Sequence, residues 1–142
     1  MSTAEFSISK AAEQAKATAP AIAQLGHQAK REVLQAVAEQ LRAREQAILA
    51  ANAIDMQNAA DNQLDAAMCD RLLLDSTRLE SLAQAVEVIA NQSDPVGSMS
   101  ASETMASGIQ VAKMRIPLGV IAMIYESRPN VTIDAAALCF KA

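Results

Sequence analysis

The chain has 142 residues, of which 20% are charged and 2% are aromatic, and its formal net charge is −4. This length is enough for one domain with a hydrophobic core. The acidic balance and the shortage of aromatic rings exclude the basic, stacking surface of a nucleic-acid-binding protein. No apolar run approaches the ~18 residues of a membrane-spanning helix. We therefore expect neither a nucleic acid nor a membrane as a partner.

Cysteine and histidine usage indicates a reducing compartment and no metal site. Cys69 and Cys139 show no CxxC or Cys/His spacing, which is typical of free cytosolic thiols. The N-terminus lacks the basic segment and apolar core of a signal peptide. His27 has no second ligand at helical spacing, so we expect it on the surface. These features predict a cytoplasmic protein.

The first two thirds of the chain are rich in alanine and predict helices. The clearest period places four apolar side chains on one face of a helix that ends near residue 91: Leu79, Leu82, Val86 and Ile89. Thr77, with Glu80 three residues later, has the spacing of a capping box at its start. Other helices are expected over residues 7–19, 27–44, 45–62 and 64–74. Pro20 should interrupt the first.

Residues 109–116 predict an exposed strand of the antiparallel type, after a loop over residues 91–107. The alternation of apolar residues slips within this strand. Ile109 and Val111 share one face, whereas Met114 and Ile116 share the other. A bulge or a strong twist near residues 112 and 113 would explain the slip.

The stretch IPLGVIAMIYESRPN, residues 116–130, combines an apolar strand pattern with a polar loop. Residues 118–125 are almost continuously apolar, which predicts a strand buried on both faces. A polar loop over 126–130 and a helix over 131–142 follow, as in the front half of a βαβ unit. Ligands of open α/β sheets bind beyond the carboxyl ends of strands, beside helix N-termini. The loop is therefore the best candidate for a functional site.

This region resembles gamma-glutamyl phosphate reductase, or glutamate-5-semialdehyde dehydrogenase, of the aldehyde dehydrogenase superfamily. The resemblance rests on PLGVIAMIYESRPNVTIDAAALCFKA, on Ala51-Asn52-Ala53 and on the DPVG loop at 94–97. The YESRPNVT core is its most specific part. Ala122 stands where the family usually has glycine. A full-length member is considerably longer than this chain, and its nucleophilic cysteine would lie beyond residue 142.

The resemblance implies an α/β fold and a reductase. The N-terminal helical part of the cofactor-binding domain would cover residues 1–92. A loop and oligomerisation strand region would cover 93–116, and the first, incomplete βα unit of the dinucleotide-binding domain 117–142. The activity implied is the NADPH-dependent reduction of L-glutamate 5-phosphate to the semialdehyde in proline biosynthesis. A homo-oligomer would form through the 109–116 strand region.

Each loop residue has a functional and a plainer interpretation. Asn130 either donates its amide to a developing oxyanion, as the superfamily implies, or caps the following helix. Ser127 and Arg128 either bind the substrate or belong to a solvated turn. By resemblance, Tyr125 and Glu126 contribute to the cofactor site. Tyr125 would line the pocket, and Glu126 would contact the residues that line it.

Two other hypotheses stay open beside the reductase. The first is a non-catalytic fragment that acts as an interaction module. The second is another acyl or aldehyde dehydrogenase of the same superfamily, against which the ESRPN loop argues. Neither Cys69 nor Cys139 has a basic neighbour or a helix N-terminus that would lower its pKa, so we expect both thiols to be structural.

Overall fold

The computed structural model describes residues 7–126 and 128–142 and is mostly helical. The helices are α1 (Ile8–Ala23), α2 (His27–Ala43), α3 (Glu45–Asp61), α4 (Ala66–Leu72), α5 (Ser76–Asn91) and α6 (Pro129–Lys141). Two short strands, β1 (Glu103–Thr104) and β2 (Gln110–Val111), pair in an antiparallel sheet. The predicted helical layer is thus confirmed.

The chain divides into two compact units. The smaller unit contains residues 1–26 and 94–122, together with residue 142. It holds α1 and the β1–β2 hairpin. The larger unit contains residues 27–93 and 123–141, and therefore helices α2 to α6.

The core of the larger unit is built on α5. All four residues of its predicted apolar stripe are buried, so that prediction is confirmed. Helix α2 packs against this stripe with Leu34, Ala38 and Leu41, and α6 contributes Ala137. In the sequence of α2, Val33, Val37 and Leu41 recur at steps of four beside Leu34, which predicts one apolar stripe. That prediction was only partly right, because Val33 lies outside this core and is exposed. A 3.6-residue period predicts which face of a helix is apolar. Where that face is broad, the partner helix determines which of its residues are buried.

The capping box predicted at the start of α5 was wrong. Asp75 is the N-cap, and its side chain accepts a hydrogen bond of 2.7 Å from the backbone N–H of Arg78. Aspartate is a stronger N-cap than threonine, and it stands two residues before the predicted cap, so the helix begins there. Glu80 consequently does not reach back to the helix start. It pairs instead with α2.

Arg42 joins α2 to α5 through two carboxylates. Its Nε and Nη2 donate to the two carboxylate oxygens of Glu80, each at 2.8 Å, and its Nη1 donates to Glu87. These hydrogen bonds lower the pKa of Glu80 to about 2 and also lower the pKa of Glu87. Because all three side chains are partly solvated, the network contributes modestly to stability and fixes the register of the two helices.

Pro20 does not interrupt α1, contrary to the sequence prediction. The helix runs from Ile8 to Ala23 with Pro20 inside it. It ends within one turn of the proline. The sequence offers Ser7 or Ser9 as the cap of this helix; the structure has Ser7, whose side chain accepts from the N–H of Lys10 at 3.3 Å.

The 109–116 region forms one arm of an exposed hairpin. Beyond β1 and β2, Met99 pairs with Met114 in an isolated antiparallel bridge. Since Glu103 pairs with Val111, the three residues 100–102 face only residues 112 and 113. This mismatch is a bulge beside residues 112 and 113, but its extra residue lies on the opposite arm and not in the strand whose alternation slips.

Residues 118–125 do not form the predicted doubly buried strand in this chain. They have no strand pairing among the described residues, and Ile124 is fully exposed. Leu118 is 75% exposed. A parallel strand is buried only when neighbouring strands and helices cover both faces, and the described residues place no strand beside this segment. The helix predicted after it does form, as α6.

We expect stability to fall at low pH through the Arg42 network. Its hydrogen bonds lower the pKa of Glu80 from the usual 4.5 to about 2 in the folded chain. The contribution is therefore complete above the unfolded pKa and is lost as the pH falls towards 2. In urea unfolding, the wild type should have a higher free energy of unfolding than Glu80→Gln at pH 7, and this difference should be smaller at pH 3.

Glu39→Gln is the matched control for this measurement. Glu39 is exposed on α2 and has no ion pair among the described residues. An equal gap between wild type and Glu80→Gln at both pH values would contradict the role given to Arg42.

Candidate functional site

The candidate site lies where the chain enters α6. The helix begins at Pro129, and the carbonyl of Arg128 accepts a 3.1 Å hydrogen bond from the N–H of Val131. Proline suits the first position of a helix, because its missing N–H would have no intrahelical partner there. The SRPN sequence therefore starts the helix two residues earlier than the prediction placed it.

Asn130 is the second residue of α6 and lies inside the helix, not at its N-cap. Its side chain is exposed, and its Nδ2 donates weakly to Oδ2 of Asp134 at 3.4 Å. The capping interpretation of Asn130 is thus not observed. An exposed amide in the first turn of a helix remains available to an incoming ligand.

Tyr125 ties the loop to α6. Its hydroxyl lies 2.6 Å from Oγ1 of Thr132, one turn into the helix. Glu126 and Arg128 are exposed. Ser127 lies outside the described residues. Four of the five predicted site residues are therefore described, and they lie around the start of one helix.

Two buried lysines that the sequence did not single out hold the far end of α6. Lys141 Nζ donates to the carbonyl of Ala90 at 3.0 Å and lies 3.4 Å from Nδ1 of His27. Lys30 Nζ donates to the carbonyl of Lys141 at 3.1 Å. Lys30 and Lys141 are 2% and 3% exposed. Cations at helix C-termini bind carbonyls that have no intrahelical partner, so these contacts fix α6 on α2 and α5.

Asn52 is a third buried polar residue, and the sequence did not predict its structural role. Its Nδ2 donates to the carbonyl of Leu72 at 2.9 Å, and its Oδ1 accepts from the N–H of Leu74 at 2.8 Å. The side chain thus satisfies the backbone of the α4–α5 connection. Its place in the Ala51-Asn52-Ala53 segment was the one available signal, since an amide among alanines has no local reason to be there.

A cavity of about 350 Å³ opens between the α4–α5 connection and the start of α6. Arg71 and Arg78 lie on its α4–α5 side, and Asn130 and Asp134 on its α6 side. Leucine side chains, including Leu73 and the buried Leu82, supply apolar surface. One predicted site residue, Asn130, therefore borders a ligand-sized space.

The two cysteines lie away from this cavity's lining. Cys69 is half-buried, with Sγ 3.7 Å from the carbonyl oxygen of Leu64, and Cys139 is exposed. Within residues 7–126 and 128–142, no cluster of His, Cys, Asp or Glu could hold a metal ion. None of the helices there is long and apolar enough to cross a membrane.

Two solved structures share the fold of this chain, and both proteins are reductases. The protein from Thermotoga maritima superposes with a TM-score of 0.86, covering 93% of this chain and 32% of its own, at 32% identity. The protein from Saccharomyces cerevisiae gives a TM-score of 0.87, covering 96% of this chain and 35% of its own, at 27% identity.

Both structures are of gamma-glutamyl phosphate reductase, and so are the relatives found by sequence. The enzyme of Thermobifida fusca is 46% identical over 141 residues, that of Salinibacter ruber 48% over 137, and that of Xanthomonas axonopodis pv. citri 50% over 129. These alignments cover 99%, 96% and 91% of this chain. The resemblance predicted from the sequence is confirmed.

The chain spans about a third of the length of these relatives, at 34%, 31% and 31% respectively. No family model matches the chain. The correspondence therefore concerns one part of the enzyme.

Replacing Asn52 by leucine should lower the free energy of unfolding by about 2 kcal/mol. The change removes both hydrogen bonds and leaves the carbonyl of Leu72 and the N–H of Leu74 without their partner. Thermal and urea unfolding measure the loss. Asn58→Leu, at an exposed position of α3, is the matched control and should change stability little. Equal stability of the two variants would show that Asn52 does not support the α4–α5 connection.

Proposed function

We propose that this chain is one part of a gamma-glutamyl phosphate reductase, which reduces L-glutamate 5-phosphate to L-glutamate 5-semialdehyde in proline biosynthesis. The observation that carries the proposal is 46% identity to such an enzyme over 99% of this chain. The loop and the start of α6 lie inside that match. The ESRPN loop distinguishes this assignment from other aldehyde dehydrogenases.

The chemistry requires a nucleophile that these 142 residues do not offer. A thiolate attacks the acyl carbon of the acyl phosphate, the C–O bond to phosphate breaks, and a thioester forms. Such a thiolate is stabilised by a nearby cation or a helix N-terminus. Cys69 faces a backbone carbonyl, and Cys139 lies in the second half of α6. We therefore place the nucleophile in the remainder of the enzyme.

Asn130 is our candidate for the oxyanion donor. Attack on the acyl carbon concentrates negative charge on its oxygen, which hydrogen-bond donors stabilise. The Asn130 amide is exposed in the first turn of α6, where the helix dipole also favours negative charge. Arg128 and Ser127 would bind the departing phosphate, for which a planar guanidinium is well suited.

When bound, NADPH would supply the hydride for reduction of the thioester to the aldehyde. Tyr125 and Glu126 are the residues of this chain that would hold one edge of the cofactor. Tyr125 presents a half-exposed ring held by Thr132, and Glu126 an exposed carboxylate that suits ribose hydroxyls. The sequence contains no GxGxxG fingerprint, so most cofactor contacts would come from elsewhere in the enzyme.

We propose that the reductase is a cytoplasmic homo-oligomer joined through the 109–116 region. Four apolar side chains of that arm are exposed: Ile109, Val111, Met114 and Ile116. A two-stranded hairpin also leaves strand edges open to pairing with another chain. Within the same enzyme, residues 118–125 would become a strand of a parallel, aldehyde-dehydrogenase-like sheet.

Asn130→Ala in the complete reductase should lower kcat by on the order of 10²-fold, because one oxyanion donor is lost. Steady-state rates with L-glutamate 5-phosphate and NADPH test this. Asn58→Ala is the matched control and should leave the rate unchanged. A lower melting temperature with an unaltered kcat would assign Asn130 to stability instead.

The 142-residue chain alone should not catalyse the reaction. Purified chain, NADPH and L-glutamate 5-phosphate should give no loss of reduced-cofactor absorbance above background, whereas the complete reductase does. Cys69→Ser and Cys139→Ser in the complete enzyme should retain turnover. If the chain alone turns over substrate, and either cysteine substitution abolishes that turnover, the nucleophile lies among these residues. That result would refute our placement of the nucleophile in the remainder of the enzyme.

A further inference from the structure

The cavity between the α4–α5 connection and the start of α6 is lined by side chains of opposite charge at its two ends. Arg71 and Arg78 lie on one side of it, and Asp134 lies on the other. The cavity lies entirely within the larger unit. Its volume of about 350 Å³ is at the lower end of small-molecule sites.

The two arginines have different surroundings. Arg78 donates to the carboxylate of Asp70 and to the backbone carbonyls of Asp70 and Leu73, so it is held in place. Arg71 is exposed, and its guanidinium has no hydrogen bond or ion pair within the described part of the chain. Arg71 therefore offers a free planar fork, and Arg78, which is paired with Asp70, is held beside it.

Asp134 supplies the negative charge at the other end of the cavity. It is half-buried on α6, and only Oδ2 has a hydrogen bond, the weak one from Asn130 at 3.4 Å. Oδ1 accepts none among the described residues, so it can receive a donor from a ligand. Between the two ends, Leu73 and Leu82 present hydrocarbon.

We propose that this cavity binds an α-amino acid as its zwitterion. The carboxylate pairs with Arg71, the ammonium with Asp134, and the carbon chain lies on the leucines. A phosphate is disfavoured because Asp134 would face its negative charge, and a simple cation is disfavoured by the two arginines. The apolar surface favours a ligand with a hydrocarbon part.

Resting on the proposed function, the amino acid is the glutamyl end of the substrate. Asn130 borders the same cavity, so an amino acid held there lies beside the proposed oxyanion donor. The inference assigns Arg71 and Asp134 as substrate-binding residues, in addition to the loop residues predicted from the sequence.

The test is a titration of the ¹⁵N-labelled 142-residue chain with L-glutamate, followed by NMR. Shifts should centre on residues 71–82 and 130–134. Arg71→Gln should weaken binding by at least about tenfold, as expected for a lost charge-assisted pair. Arg44→Gln is the matched control, since it removes an exposed guanidinium outside the cavity. Spectral dispersion shows whether each variant is folded.

Glutarate, which lacks the ammonium group, and inorganic phosphate are the comparison ligands. We expect L-glutamate to bind more tightly than either, and Asp134→Asn to remove that advantage. Equal binding of glutarate or phosphate would mean a plain anion site and overturn the proposal. So would the absence of shifts, or affinity unchanged in Arg71→Gln. Reductase activity in the complete enzyme is measured separately, so either proposal can fail alone.

Discussion

The packing of α5 against α2 and α6 is the constraint on which the rest of the larger unit depends. Ala83, Val86 and Ala90 of α5 are completely buried. Small side chains at two of these positions allow neighbouring helices to approach closely, so van der Waals contact is extensive. The start of α6, and with it the candidate site, is therefore positioned by helix packing rather than by the loop.

Polar contacts then fix the helices along their axes. Apolar packing sets which faces meet, but it tolerates sliding by part of a turn. The hydrogen bonds of Arg42 to Glu80 and Glu87, and those of Lys141 and Lys30 to backbone carbonyls, select one arrangement. Asn52 does the same for the α4–α5 connection. A site built at the start of α6 needs this precision, because catalytic donors must lie within fractions of an ångström of their place.

Local patterns in the sequence predicted what local physics determines. The apolar stripe of α5 and a serine cap at the start of α1 each follow from residues close together in the chain. The roles of Lys30, Lys141 and Asn52 could not be predicted, because their partners are distant in sequence. Thr77 and Asp75 show a different limit. Both residues can cap a helix, but aspartate is the stronger N-cap, and the structure uses Asp75 while Glu80 pairs with Arg42.

Residues 118–125 illustrate how a pattern can describe more than the chain that contains it. Their composition is typical of a strand covered on both faces, yet here they are exposed and unpaired. The run of apolar residues indicates burial, and burial requires covering strands and helices that the described residues do not place beside it. The candidate site has the same character. Four described site residues lie around the start of α6 and one of them, Asn130, borders the cavity, whereas we assign the nucleophile and most of the cofactor contacts to the rest of the enzyme.

Amide hydrogen exchange on the 142-residue chain tests this account most directly. Amides of α5 between Leu82 and Ile89 should exchange slowly, because they lie in the packed centre of the larger unit. Amides of residues 118–125 should exchange at nearly the rate of an unstructured peptide, because no strand neighbour protects them. Protection of residues 118–125 equal to that of α5 would contradict the account, since it would show that this chain completes its own sheet.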